Sequence, residues 1–80
     1  MQLTSRDMNE FARAISDWTW THDNDREMLT QHKRDREDLQ YVYDLIVKKE
    51  YTYAAKSADN LDTIVRDQIP LNIWNFLSRF

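Results

Sequence analysis

No glycine and no cysteine occur in this chain of 80 residues, and Pro70 is its only proline. Without glycine the backbone has no inexpensive way into φ > 0, so Rossmann fingerprints and phosphate-cradling loops are excluded, and helices joined by short polar connections are expected. Without cysteine there is no disulfide framework, no thiolate nucleophile and no Cys-based zinc site, which suits a reducing compartment; a cytoplasmic location is expected. Basic excess is missing too: 11 Lys and Arg stand against 14 Asp and Glu, a net charge of −3. Direct high-affinity binding to nucleic acid is therefore not expected, because few cations are available to displace phosphate counterions. Long apolar runs are also lacking. The longest, Tyr41 to Val47, is interrupted by Asp44, and the first seven residues have no apolar core of signal-peptide type, so no membrane association is expected.

What is present is a hydrophobic share of 41% that includes three Trp, four Tyr and three Phe, enough to argue against intrinsic disorder. A domain of this length buries only about 60 to 65% of the surface its unfolded chain exposes, so each large apolar residue matters. The pattern predicts one all-α domain: a compact three- to four-helix arrangement with a short C-terminal helix opened by Pro70. The first helix is expected from Thr4 or Ser5 to about Trp20, with Thr4 and Asp7 as a capping box. Its buried stripe is Met8, Phe11, Ile15 and Trp18, with Ala12 beside it. Nothing breaks a helix from Arg26 to Lys49, where Met28, Leu39, Val42 and Ile46 share a line, and Tyr41 and Leu45 are expected to widen it.

His32 and Asp35 interrupt that line, which predicts a segment that projects from the core or meets something polar. A third stripe runs Ala54, Ala58, Leu61, Val65 and Ile69, flanked by Ala55 and Ile64. The break before it falls in 48–53 or in 56–60, or not at all. A continuous rod would be about 65 to 70 Å long at 1.5 Å per residue and would imply an oligomer, so a homodimer is open. Beyond Pro70, residues Ile73, Trp74, Phe76, Leu77 and Phe80 fall within an arc of about 160°, a face that must dock.

Candidate chemistry is sparse. His22, Asp23, Asp25, His32 and Asp35 combine ligand types, but their spacing matches no metal motif, and no metal or cofactor is expected. Glu37 and Asp44 are seven residues apart with no pocket implied for an acid–base pair. The serines lack a nucleophile-elbow context. No enzymatic activity is expected. The mixed-charge run from Asp23 to Asp38, with six acids and four bases, reads either as a solvated helix face laced with i,i+4 pairs or, more sharply, as a docking surface that sets partner choice. Trp18 and Trp20 lie about 200° apart on a helix, so Trp18 is assigned to the core, and Trp20 to an interface or, equally, to cover by the C-terminal helix. The partner-binding set is Trp20, Asp23, Asp25, His32, Asp35, Arg36 and Glu37; the structural set is Trp18, Pro70, Trp74 and Phe76.

Ala58, Val65, Asp67, Ile69-Pro70, Ile73-Trp74 and Phe76 together resemble the C-terminal end of the Hha/YmoA family of small nucleoid-associated modulators. In that family a long helix ends in Asp-x-Ile-Pro, and a short Val-Trp-x-Phe helix finishes the chain. The likeness covers roughly residues 51–76. It implies a non-enzymatic four-helix domain that binds the dimerisation region of the H-NS silencing protein through charged contacts. The departures are an arginine-rich first helix that has no counterpart in Met8 to Trp18, and a central acidic position that falls at Ala54. The expected function is a non-enzymatic protein that binds and modulates a host regulatory or nucleic-acid-associated protein. The alternative is a phage- or plasmid-encoded inhibitor that occludes a host defence or transcription enzyme with an acidic helical surface.

Overall fold

A computed structural model describes the backbone of residues 3–22 and 29–80, and the side chains of 3–18 and 33–80. Among these residues the secondary structure is all helical, in the order α1 (Ser5–His22), α2 (Leu29–Val47), α3 (Tyr51–Asp59), α4 (Thr63–Arg66) and α5 (Leu71–Leu77). The packed pairs are α1 with α2, α2 with α3, and α5 with both α1 and α3. The radius of gyration is 12.3 Å, close to the ~12 Å of a globule this long. A rod is excluded, and with it the reason for requiring an oligomer.

α1 starts as its capping box dictates. The Asp7 amide donates to Thr4 Oγ1 at 3.2 Å, and Asp7 Oδ2 accepts from the Thr4 amide at 2.9 Å and the Thr4 hydroxyl at 3.1 Å. These bonds satisfy donors that a helix N-terminus leaves orphaned. The other Asp7 oxygen accepts from Asn72 Nδ2 of α5 at 3.1 Å, so the cap also joins the two ends of the chain. Phe11, Ile15 and Trp18 follow into the core, Met8 is half-buried, and Ala12 is exposed.

Both candidate breaks are turns, one between α2 and α3 and the other between α3 and α4. The first closes α2 with a Schellman motif: Lys49 N donates to Ile46 O and Glu50 N to Leu45 O, both at 2.9 Å. Lys49 takes φ 64°, the left-handed conformation that usually calls for glycine. The second turn follows Asp59. Here the Asn60 amide donates to Lys56 O and Ser57 O and the Leu61 amide to Ala58 O, and Arg66 Nη2 adds bonds to the carbonyls of Asp59 at 3.1 Å and Leu61 at 3.2 Å. The stripe nevertheless keeps its register, with Ala54, Ala58, Leu61, Val65 and Ile69 all buried.

Pro70 sits at the N-cap of α5 with φ −57° and ψ 145°, and its carbonyl accepts from the amides of Ile73 and Trp74. Ile73, Phe76 and Leu77 are buried behind it. Three expectations need correction. Tyr41 is 57% exposed, because two helical steps from Leu39 carry it to the outer face. Ile64 is 69% exposed, beside the buried Val65 in the single turn of α4. Phe80 lies past the end of α5 and is half-exposed instead of continuing the buried arc.

Candidate protein-docking face

The middle of α2 carries the charged residues singled out by sequence, and helical geometry sends them to different environments. Asp35 precedes Leu39, Val42 and Ile46 on the core stripe and is buried with them, at 7% exposure. It is thus unavailable to an incoming partner, which corrects its assignment to the docking set. Arg36 is half-buried and Glu37 exposed. With Gln40 they face Ala12, Ile15 and Ser16 of α1 across a groove of ≈ 350 Å³. Ile15 supplies an apolar floor, and Arg36, Glu37 and Gln40 supply a polar rim.

Around the helix from that groove, Asp38 and Tyr41 meet Ser57, Asn60 and Leu61 at a smaller hollow of ≈ 200 Å³ between α2 and the end of α3. Desolvation pushes the Asp38 carboxyl above the ordinary aspartate value. The charges of Asp35, Glu37 and Asp62 act in the same direction, against the attraction of Arg34. This side of α2 therefore presents a local excess of acid. Farther along, Gln40 Nε2 donates to Asp44 Oδ1 at 3.1 Å, so Asp44 is engaged on the helix surface.

Other assigned positions divide cleanly. Trp20 lies in α1 and His32 in α2, but their side chains are outside the described residues, as are Asp23 and Asp25 altogether. Of the structural set, Trp18 and Phe76 are buried. Trp74 is half-buried; its Nε1 donates to Arg66 O at 3.3 Å, and the Arg66 guanidinium lies 6.0 Å from its ring centroid. Pro70 opens α5. Among the described residues no three His, Cys, Asp or Glu side chains are placed to share a metal ion. None of the described helices is long and apolar enough to cross a membrane.

Sequence reasoning passed over the α1 side of the groove. Ala12 and Ser16 are small residues one helical turn apart beside the core stripe, the spacing that lets a neighbouring surface approach closely. That signal was present in the sequence but carries no charge and no aromatic ring to mark it. An apolar floor within a polar rim has the composition of a protein–protein contact, where buried apolar anchors carry affinity and rim charges set orientation. No protein-family model, curated protein or solved structure matches the chain.

Proposed function

We infer that this is a non-enzymatic helical protein that binds a host regulatory or nucleic-acid-associated protein in the cytoplasm and modulates it, with an H-NS-type nucleoid protein as the specific partner. One observation carries the reading: the α1–α2 groove, where Ile15 lies beneath a rim of Arg36, Glu37 and Gln40. The tail likeness at Ile69-Pro70, Ile73-Trp74 and Phe76 is what points to that choice of partner. The test is calorimetric titration of the full chain with the purified H-NS dimerisation region at about 100 μM, where a complex with a Kd of 1 μM would be saturated. A stoichiometric complex weakened by Glu37→Lys is the expected result. Absence of heat and of a co-eluting complex would remove H-NS as the partner.

A second reading rests on the acidic side of α2. Desolvation first, and then the charges of Asp35, Glu37 and Asp62 against the attraction of Arg34, raise the Asp38 carboxyl. Such a surface suits an inhibitor that occupies the nucleic-acid site of a host defence or transcription enzyme. Competition separates the two: an inhibitor displaces nucleic acid from its target, whereas a nucleoid modulator joins the nucleic-acid complex.

A further inference from the structure

The hollow between α2 and the end of α3 is lined by Asp38, Tyr41, Ser57, Asn60 and Leu61. Leu61 is buried, Ser57 is half-buried, and Asp38, Tyr41 and Asn60 stand exposed around them. Among the described residues, none of the four polar side chains makes a hydrogen bond or an ion pair within the chain. The Asp38 carboxylate, the Tyr41 and Ser57 hydroxyls and the Asn60 amide oxygen are all acceptors. At ≈ 200 Å³ the hollow is smaller than the about 300 to 1,000 Å³ of sites that enclose a whole small molecule. It has the size of a seat for one side chain.

The charge at this seat favours a cation. Asp38 is the one charged residue on the lining. Partial desolvation, then the charge of Asp35, raises its carboxyl; Glu37 and Asp62 add to this and Arg34 opposes it. An incoming anion would meet the same repulsion, whereas an incoming cation relieves it. The α3–α4 turn already shows this preference on another of its sides: Arg66 Nη2 donates to the carbonyls of Asp59 and Leu61, so the turn holds one guanidinium of its own. Ser57 and Asn60 also lie at the C-terminal, negative end of α3. A divalent metal fits less well, because the lining supplies a single carboxylate and no three ligand side chains converge among the described residues.

We propose that the hollow formed by Asp38, Tyr41, Ser57, Asn60 and Leu61 receives an arginine side chain of a partner protein. The Asp38 carboxylate pairs with the guanidinium, the Ser57 hydroxyl and the Asn60 amide oxygen accept its remaining N–H groups, and the Tyr41 ring offers it an exposed face. Five donors in a planar fork match several separate acceptors better than a lysine ammonium does. The inference rests on the second reading above, whose acidic side of α2 it provides with a specific contact, and it is independent of the α1–α2 groove.

The test titrates the isotope-labelled full chain with the capped tripeptide acetyl-Ala-Arg-Ala-amide, followed by two-dimensional NMR. Titration to about 10 mM nearly saturates a site with a Kd of about 1 mM. Amide shifts are expected to concentrate at Asp38, Ser57, Asn60 and Leu61. Replacing Arg in the peptide by citrulline, which keeps the shape and loses the charge, should weaken binding about tenfold, and Asp38→Asn should do the same. Tyr41→Ala should weaken it about threefold, while Tyr41→Phe, which keeps the ring, should stay within about twofold of the wild type. Asp38→Asn also controls for folding: with the native carboxyl raised, the variant should melt no lower than the wild type at neutral pH, so lost affinity is not lost structure. Shifts confined to other residues, or none at all, overturn the proposal. So does an unchanged affinity in Asp38→Asn, or equal binding of the citrulline or lysine tripeptide. Tighter binding of free arginine would overturn it too, giving the hollow to a small molecule. The peptide is read without any target enzyme, so each of these failures leaves the second reading to its own competition assay.

Discussion

The two turns around α3 solve the same problem by different means. At Lys48 to Glu50 the chain reverses by itself: local amides close on Ile46 and Leu45, and Lys49 accepts φ 64°. At Asn60 to Asp62 the carbonyls of Asp59 and Leu61 are held by Arg66, whose guanidinium lies over the ring of Trp74, while Trp74 Nε1 donates back to Arg66 O. The first turn is autonomous and carries local strain. The second is unstrained: its own amides close on Lys56, Ser57 and Ala58, and Arg66 ties it in addition to the docked tail. A chain without glycine can thus turn through the backbone of one residue or with the added reach of a long downstream side chain.

Removing the tail's contribution should produce the largest effect. Trp74→Ala deletes the indole N–H and the surface under Arg66, and is expected to cost ~3 kcal/mol, near the low end for a Trp truncation because the ring is only half-buried. Equilibrium urea unfolding measures this. In so small a domain the loss is a large part of the total stability. Arg66→Met should come next, at ~2 kcal/mol, since the carbonyls of Asp59 and Leu61 lose a charged donor. The double variant should cost less than the sum of the two, because both residues serve one junction. Full additivity would show that the α3–α4 turn does not depend on the tail.

The autonomous turn gives the opposite sign. Lys49→Gly should stabilise the domain by ~1 kcal/mol by relieving the left-handed penalty. That corresponds to a rise of about 4 to 8 °C in melting temperature for a domain of this size. A fall instead would mean that the lysine side chain contributes packing that outweighs its backbone cost.

Much of this architecture was legible from spacing. The stripes Phe11, Ile15, Trp18 and Ala54, Ala58, Leu61, Val65, Ile69 were readable because helical periodicity needs only composition at fixed steps. The Thr4 and Asp7 cap was readable because its partners are three residues apart. Both turn regions were suspected, but choosing between them required knowing that Lys49 tolerates φ > 0 and that Arg66 reaches back to Asp59, and neither follows from a local pattern. At the docking face, Arg36 and Glu37 were readable as charges on α2. The burial of Asp35 was not, since a carboxylate on a core line is ordinarily assigned to solvent. The aromatic cluster of Tyr51, Phe76 and Phe80 joins chain segments 25 residues apart, a pairing that only the docking of α5 on α3 creates.

The smallest effects at neutral pH distinguish the tail-linked cap of α1 from the acidic side of α2. Hydrogen bonds from the Thr4 backbone, then from the Thr4 and Asn72 side chains, hold the Asp7 carboxyl below its ordinary value of 3.8 despite its burial. The folded state therefore binds a proton less readily than the unfolded chain. This contribution to stability is complete above that ordinary value and disappears as pH falls through the lower folded value. Asp38 has the opposite sign: burial and its acidic neighbours raise its carboxyl, so the folded state is penalised as pH rises through 3.8 and beyond. Urea midpoints measured from pH 7 down to about 2.5 should show Asp7→Asn losing less stability than the wild type at the acid end. Asp38→Asn should gain a little stability at neutral pH, and that gain should shrink on acidification. If Asn72→Ala leaves the acid limb unchanged, Thr4 and the Arg6 charge depress the Asp7 carboxyl without help from α5. The cap of α1 would then be as autonomous as the Lys49 turn, and the tie to the docked tail would be confined to the end of α3.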